Sequence, residues 1–374
     1  MMNRLVAMPQ GASATVEVVS RQTRRVRLAD HGVQNLLMPA QPSLAKSADP
    51  AAAPFHLDAA AYQTAGLKAA GDLARVVPQG RLRAVDFARL EIAPVRYDPV
   101  AGELEVTESL ELRIRYDGGD AAATADLMAR THSPFFDGVY QRIAGVRGLH
   151  ENYPDRVRDE VTYVIITPSM FTAQLQDFIA WKTERGFDVV VGEIGSPEVG
   201  TTTSSIRDYI HGLYDGATPE QPAPSFVLFV GDVAQCPTFT VGGDATDRPY
   251  CAVDGDQIPD IYYGRFSATN GTQLQAILDK TMMYDQFTMP DPSYLDEVVL
   301  IAGYDSSFGG THGNGTINYG SENYFNAAHG IDADIHLYPQ SGSDDALIVS
   351  EVSEGRAFVN YTAHGSQTSW SDPS

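Results

Sequence analysis

The stretch Asn360-Tyr361-Thr362-Ala363-His364-Gly365-Ser366-Gln367-Thr368-Ser369-Trp370 sets a histidine where an apolar run gives way to small and polar side chains. An imidazole exchanges a proton near neutral pH, so a histidine leaving a buried strand into a loop suits a general acid and base. Most lone histidines are structural; the position of His364 is what marks it. Gly365 beside it lets a substrate carbonyl approach and offers a backbone N–H to a developing oxyanion.

A nucleophile for that base is harder to find. The chain has two cysteines, Cys236 and Cys251, too few for a disulfide scaffold and wrongly spaced for a zinc knuckle. They either pair with each other or stay idle. Both precede His364 in or near an acidic loop that raises a thiol pKa, so neither suits the role of nucleophile. That loop holds Asp244, Asp247, Asp254, Asp256 and Asp260, hard oxygen ligands of the kind calcium takes. It is no EF-hand, because the twelfth residue from Asp254 is Arg265 where that motif needs Glu; a merely solvated acidic loop is the competing reading. The run Gly309-Gly310-Thr311-His312-Gly313-Asn314-Gly315 reads as a flexible loop without the strand-to-helix context of a phosphate cradle, and His312 as solvent-exposed.

The elements that must position these residues follow two grammars. Up to about residue 120 the pattern is β: Ala14 to Val19, Arg24 to Leu28, and the alternation of Leu104 to Tyr116, which predicts a half-buried strand with one wet face. Tyr97-Asp98-Pro99-Val100-Ala101-Gly102 supplies a turn between Leu90 to Val95 and that strand, predicting a hairpin in an antiparallel, sandwich-like unit. Residues 1–120 are one domain, 121–158 a linker with Arg156 and Arg158 at its end, and 159–374 a second domain.

From Val161 strands and helices alternate. Strands are expected at Val161 to Thr167, Phe187 to Val191, Ser225 to Val230, Ile261 to Arg265, Val298 to Ala302, Ala333 to Leu337 and Ala357 to Tyr361. Helices are expected between them, one with a Ser205 and Asp208 capping box and another near Glu322 to His329. That order implies a mainly parallel sheet covered on both faces. Chemistry in such sheets gathers at the carboxyl ends of strands, which directs attention to Gly231-Asp232, Gly303-Tyr304-Asp305 and Ala363-His364-Gly365.

Composition excludes some partners. The net charge of -22 argues against nucleic acid and anionic membranes. The acidity is uneven: residues 1–150 carry 17 Lys and Arg against 16 Asp and Glu, and residues 151–374 carry 9 against 32. A near-neutral front half therefore precedes a strongly acidic one, whether through surface composition alone or by adaptation to divalent cations outside the cell. No apolar run approaches the roughly 20 residues of a membrane helix, and the first residues lack the pattern of an export signal.

The stretch around His364 resembles the gingipain family of cysteine peptidases, whose catalytic histidine sits in a similar Asn-Tyr-Thr-x-His-Gly-Ser-x-Thr-x-Trp sequence. The resemblance extends through Phe229-Val230-Gly231-Asp232, Asp260 to Phe266 and Ile301-Ala302. In the front half, Gly80-Arg81-Leu82-Arg83 and Ala93 to Glu105 resemble that family's prodomain. It implies a caspase-like, mainly parallel α/β sheet behind a β-sandwich-like prodomain, with His364 as partner of a cysteine and Gly365 at the oxyanion hole. It also implies an orienting role for Asp305, where the family usually has the longer Glu. Trp370 and Asn318 match substrate-binding positions. Asn318 stands where trypsin-like members carry an acid, and an amide holds Arg or Lys less strongly than a carboxylate. Preference for a basic residue before the scissile bond is therefore not implied.

The family's nucleophile closes the next strand after the histidine, whereas this sequence ends at Ser374. The expectation is a secreted or surface-attached zymogen, export signal and nucleophile both lying outside these residues and the chain inactive by itself. Its own prodomain would inhibit it, Arg156 or Arg158 would mark processing, and its substrates would be proteins or peptides. Structural calcium is implied, and no cofactor for catalysis. A sortase-like peptidase of type IX secretion and a non-catalytic, calcium-stabilised binding module are the other readings.

Overall fold

The computed structural model describes residues 1–44, 52–69, 71–146, 161–306, 308–366 and 369–370. Arg156 and Arg158 lie outside them. The chain forms two compact units, Met1–Leu278 and Asp279–Ser374.

The first unit begins with the β domain. Strands β1 (Met2–Met8), β2 (Ser13–Arg27), β3 (Ala74–Leu82), β4 (Val85–Ile92), β5 (Val95–Asp98), β6 (Glu103–Asp117) and β7 (Ile143–Ala144) make two sheets, ordered β3-β4-β1-β7 and β2-β6-β5. All pairings are antiparallel except the short β1 to β7 contact. The alternation of the long strands places Val16, Leu112 and Ile114 against Val6, Met8, Ala88 and Leu90, closing a sandwich core by burial of apolar faces. The two strand-like runs before Leu28 are one strand, β2, paired with β6 across register shifts near Ser20 and Thr23. The expected hairpin is β5 to β6.

Residues 121–146, within the span read as linker, are folded. Helix α1 (Ala121–Thr131), capped by the Asp120 carboxylate on the Ala123 N–H at 2.9 Å, buries Leu127 and Met128 with Phe136, Tyr140, Ile143 and Val146 against Ala7, Leu82 and Val85. This packing was not legible because these apolar residues are spread thinly among small and polar ones.

The parallel strands fall into two sheets. In the first unit β8 (Val161–Pro168), β9 (Phe187–Ile194), β10 (Phe226–Val230) and β13 (Tyr262–Phe266) pair in the order β13-β10-β8-β9, all parallel. Val164, Ile165 and Ile166 are buried in succession, as a strand covered on both faces requires. Helices α2 (Gln176–Glu184) and α3 (Thr203–Asp215) follow β8 and β9. Helix α3 starts a turn earlier than its expected box: Thr202 is the cap, exchanging bonds of 3.1 Å with Ser205 in both directions. A short hairpin, β11 (Phe239–Val241) and β12 (Asp244–Thr246), lies between β10 and β13, and α4 (Gly271–Asp285) follows β13.

The second unit holds β14 (Glu297–Ala302), α5 (Asn314–Asn323), β15 (Asp332–His336), α6 (Asp345–Glu354) and β16 (Phe358–Thr362), with the parallel order β15-β14-β16. Helix α5 lies ahead of the expected Glu322 to His329 span, where only a short 3-10 turn, Ala327–His329, forms. Its start is fixed by Asn314, whose amide donates to the Tyr338 carbonyl and accepts from the Tyr338 N–H, each at 2.9 Å. The glycine-rich run is therefore the entry to a helix after β14, not an independent loop. His312 is exposed.

Candidate active site

Strand register brings the candidate residues together. β14 and β16 are parallel neighbours with Ala302 opposite Thr362, and the Gly303 N–H donates to the Thr362 carbonyl at 3.2 Å. Asp305 lies three residues beyond one strand end and His364 two beyond the other. The Asp305 carboxylate accordingly meets His364 Nδ1. Asp305 is largely buried, at 10% side-chain exposure, while His364 is 44% exposed. The Asp305 carbonyl accepts the N–H groups of Phe308 at 3.1 Å and Gly309 at 2.6 Å, which tightens the turn behind it. With a proton on Nδ1 directed at the carboxylate, Nε2 is left as the basic nitrogen, and an imidazolium formed there would be stabilised by the same carboxylate.

The loop carrying the histidine is held by a residue the motif reading passed over. The Tyr361 hydroxyl donates to the His364 carbonyl at 2.8 Å, and its ring stacks on Trp370 at 4.3 Å and 7°. Trp370, expected at the substrate, thus lies flat against Tyr361 and remains 39% exposed. Its backbone bridges to Gly365. Among the described residues, a Cβ built on Gly365 would meet only the Ser369 carbonyl, at 3.5 Å. Asn318 is exposed on α5, its carbonyl accepting the Ser321 hydroxyl at 3.1 Å. The only hint of the Tyr361 role in the sequence was its alternation with Asn360 and Thr362 along a strand.

Both cysteines are free and fully buried in the core of the first parallel sheet. Burial pushes the Cys236 thiol up to about 11 against the opposing pull of Arg265. Burial, with Asp247 and Asp260, raises Cys251 well above its ordinary value. Burial thus disfavours the thiolate of each, the opposite of what a catalytic nucleophile needs.

The five aspartates do not make one cation site. Asp247 is taken by Arg265, which reaches its two oxygens at 2.7 and 2.8 Å, and by the Thr238 hydroxyl at 2.8 Å. Asp260, buried, accepts the Arg83 N–H at 2.6 Å and the Val253 N–H at 2.9 Å. Asp256 accepts the N–H groups of Arg81 at 2.9 Å and Ile258 at 2.6 Å. Asp244 is exposed in β12. Asp254 is raised to about 6 by desolvation of its carboxyl and by the charge of Asp260, with Asp256 adding to it. Among the described residues no group of three or more His, Cys, Asp or Glu side chains converges as a metal site. The oxygens of Asp247, Asp256 and Asp260 already face guanidinium, hydroxyl or N–H donors, so these three do not form a shared calcium cage.

A parallel α/β arrangement with a histidine and a carboxylate at adjoining strand ends, in a chain that begins with an antiparallel β domain, has the caspase-like fold. The model of Peptidase family C25 matches residues 156–374, and that of Propeptide_C25 matches residues 1–132. The chain belongs to peptidase family C25, with the family's propeptide domain in front.

Lys-gingipain HG66 of Porphyromonas gingivalis is 37% identical over 378 residues, covering 99% of this chain and 21% of that protein. Gingipain R2 of P. gingivalis strain ATCC BAA-308 / W83 is 24% identical over 307 residues, covering 80% of this chain and 40% of that one. This chain thus spans about a fifth of the length of the Lys-gingipains it matches. A solved structure described as "Structure of Protease" is 37% identical, with a TM-score of 0.54 over 59% of this chain and 49% of that chain.

Proposed function

We propose that this chain is the propeptide and the histidine-bearing part of a cysteine endopeptidase zymogen. The observation that carries the reading is the Asp305–His364 pair at the carboxyl ends of neighbouring parallel strands in a C25 chain. His364 Nε2 would take the proton of a cysteine thiol, and the thiolate would attack the peptide carbonyl. The imidazolium would then return the proton to the leaving amine, and water would hydrolyse the thioester. Gly365 would donate its N–H to the oxyanion.

Cys236 and Cys251 being fully buried in the core of the first parallel sheet, the nucleophile would come from sequence outside these 374 residues. The front domain would be the intramolecular inhibitor, released by cleavage near Arg156 or Arg158. The site of action would be outside the cell or at the bacterial surface; among the described residues no helix is long and apolar enough to cross a membrane. Asn318 in place of an acid supports substrates not restricted to Arg or Lys before the cleaved bond.

The test is covalent labelling by a peptidyl cysteine trap of the protein expressed with its coding sequence beyond Ser374, beside a His364→Ala control. Labelling that disappears in the control supports the reading. A protein that folds and takes no label replaces it with a binding scaffold.

A further inference from the structure

Arg83 lies in the turn between β3 and β4 of the front domain, at a positive φ of 53° and with no solvent exposure. A buried arginine is stabilising only if its donors are met. Here Nε donates to the Thr131 carbonyl at 2.8 Å, Nη1 to the carbonyls of Pro224 and Asp260 at 2.7 Å each, and Nη2 to that of Ala223 at 3.2 Å. The guanidinium also lies 4.7 Å from the centre of the Phe136 ring and 5.4 Å from that of Tyr214. Its backbone N–H donates to the Asp260 carboxylate at 2.6 Å. Thr131 and Phe136 belong to the front domain; Ala223, Pro224, Asp260 and Tyr214 belong to the domain behind it.

The location of this socket is informative. Ala223 and Pro224 immediately precede β10, and Asp260 precedes β13, so the socket sits at the amino edge of the first parallel sheet. In such sheets substrates bind at the carboxyl edge. The same edge receives two further contacts from the front domain. The Arg81 N–H donates to Asp256 at 2.9 Å, and Phe136 stacks on Tyr262 with centroids 4.3 Å apart. Gly80 passes so close that a Cβ there would come within 2.2 Å of the Asp256 carboxylate, at a φ of 151° that other residues rarely adopt.

We propose that the amino edge of the first parallel sheet is a receptor for one arginine-bearing β-turn, and that Arg83 seated in it keeps the front domain bound after the connecting segment is cut. The proposal rests on reading residues 1–132 as a propeptide. Cleavage and release are then separate events, and release is limited by withdrawal of one guanidinium from the three carbonyls of Ala223, Pro224 and Asp260.

The experiment uses the full 374-residue chain with a site-specific protease sequence inserted between His150 and Glu151. After cutting, dissociation of the two fragments is followed by size exclusion. The unsubstituted fragments are expected to co-elute, and Arg83→Gln to release the front domain faster by on the order of a hundredfold, since one partner of a buried, hydrogen-bonded charge is lost. Arg83→Lys keeps the charge without the fork and should fall between them. Gly80→Ala, which wedges the turn away without touching Arg83, decides the matter if Arg83→Gln does not fold uncut: faster release upholds the proposal and an unchanged rate ends it. Unsubstituted fragments that part at once, or Arg83→Gln fragments that stay together as well as the parent, overturn it. Retention is read without peptidase activity, so failure of the trap to label leaves this result standing.

Discussion

At the scale of residues, Asp305 and His364 form a unit whose geometry is set by two strand ends and one turn. Replacing Asp305 by Asn keeps the volume but removes the charge that would stabilise an imidazolium and fix the Nδ1 tautomer. In the active, extended protein we expect Asp305→Asn to slow labelling by a cysteine trap on the order of 10² to 10⁴-fold, with Asp305→Glu recovering part of the loss. Equal rates for Asn and Asp would remove Asp305 from the mechanism. Tyr361 acts through the backbone instead. Tyr361→Phe keeps the ring on Trp370 and deletes one bond to the His364 carbonyl, a loss of about 1 kcal/mol, so labelling should slow only several-fold while the thermal midpoint barely moves. His364 was legible because small residues follow it directly out of a strand, and Asp305 because it lies beyond another strand end. Tyr361 was not, since a tyrosine on a strand reads equally well as packing.

At the scale of elements, β15 is fastened to α6 by His336. The ring is buried, with Nδ1 at 2.9 Å from Asp344 and Nε2 at 2.7 Å from Glu351. Burial pulls its pKa down, but the two carboxylates outweigh that and hold it above the ordinary histidine value. The protonated form is therefore favoured by folding. Its stabilisation is complete below about pH 6.5, the unfolded value, and is lost as pH rises through the higher folded one. The unit Asp279–Ser374 should melt at progressively lower temperature as pH is raised above neutrality, and His336→Gln should flatten that dependence. A midpoint that holds steady across this range in the parent would show the ring to be neutral in the fold.

A lone histidine in Asp332–His336 gave no sequence signal, because its two acids come from a helix that follows it. The strands themselves were legible where apolar runs are buried on both faces, as in β8 and β14. Helix starts fixed by a side chain remote in sequence, such as Asn314 on Tyr338, were not. The division of the parallel strands between two sheets was equally hidden, since alternation gives the order of elements and not which edges pair.

At the scale of the whole chain, the sequence shows a near-neutral front half and a strongly acidic back half, a pattern that by itself suggests attraction between an arginine-rich domain and an acidic one. The contacts argue otherwise. Arg83 meets carbonyl oxygens in a site closed to solvent, Phe136 stacks on Tyr262, and Ala223 donates its N–H to the Arg130 carbonyl at 3.0 Å. None of these is an exposed ion pair. The arginines of the long β2 to β6 ribbon are largely spent within the front domain, on Glu105, Glu108, Glu103 and Glu17. Screening by salt weakens exposed charges separated by more than about 10 Å at roughly 0.1 M and shortens to about 3 Å at 1 M, but acts little on buried contacts. With the connecting segment cut, the front domain should therefore remain bound from about 0.05 M to about 1 M sodium chloride, and should be released by urea, which weakens burial and hydrogen bonding together. Dissociation that tracks the logarithm of salt concentration would assign the hold to bulk charge, and the buried socket would then be only a consequence of docking.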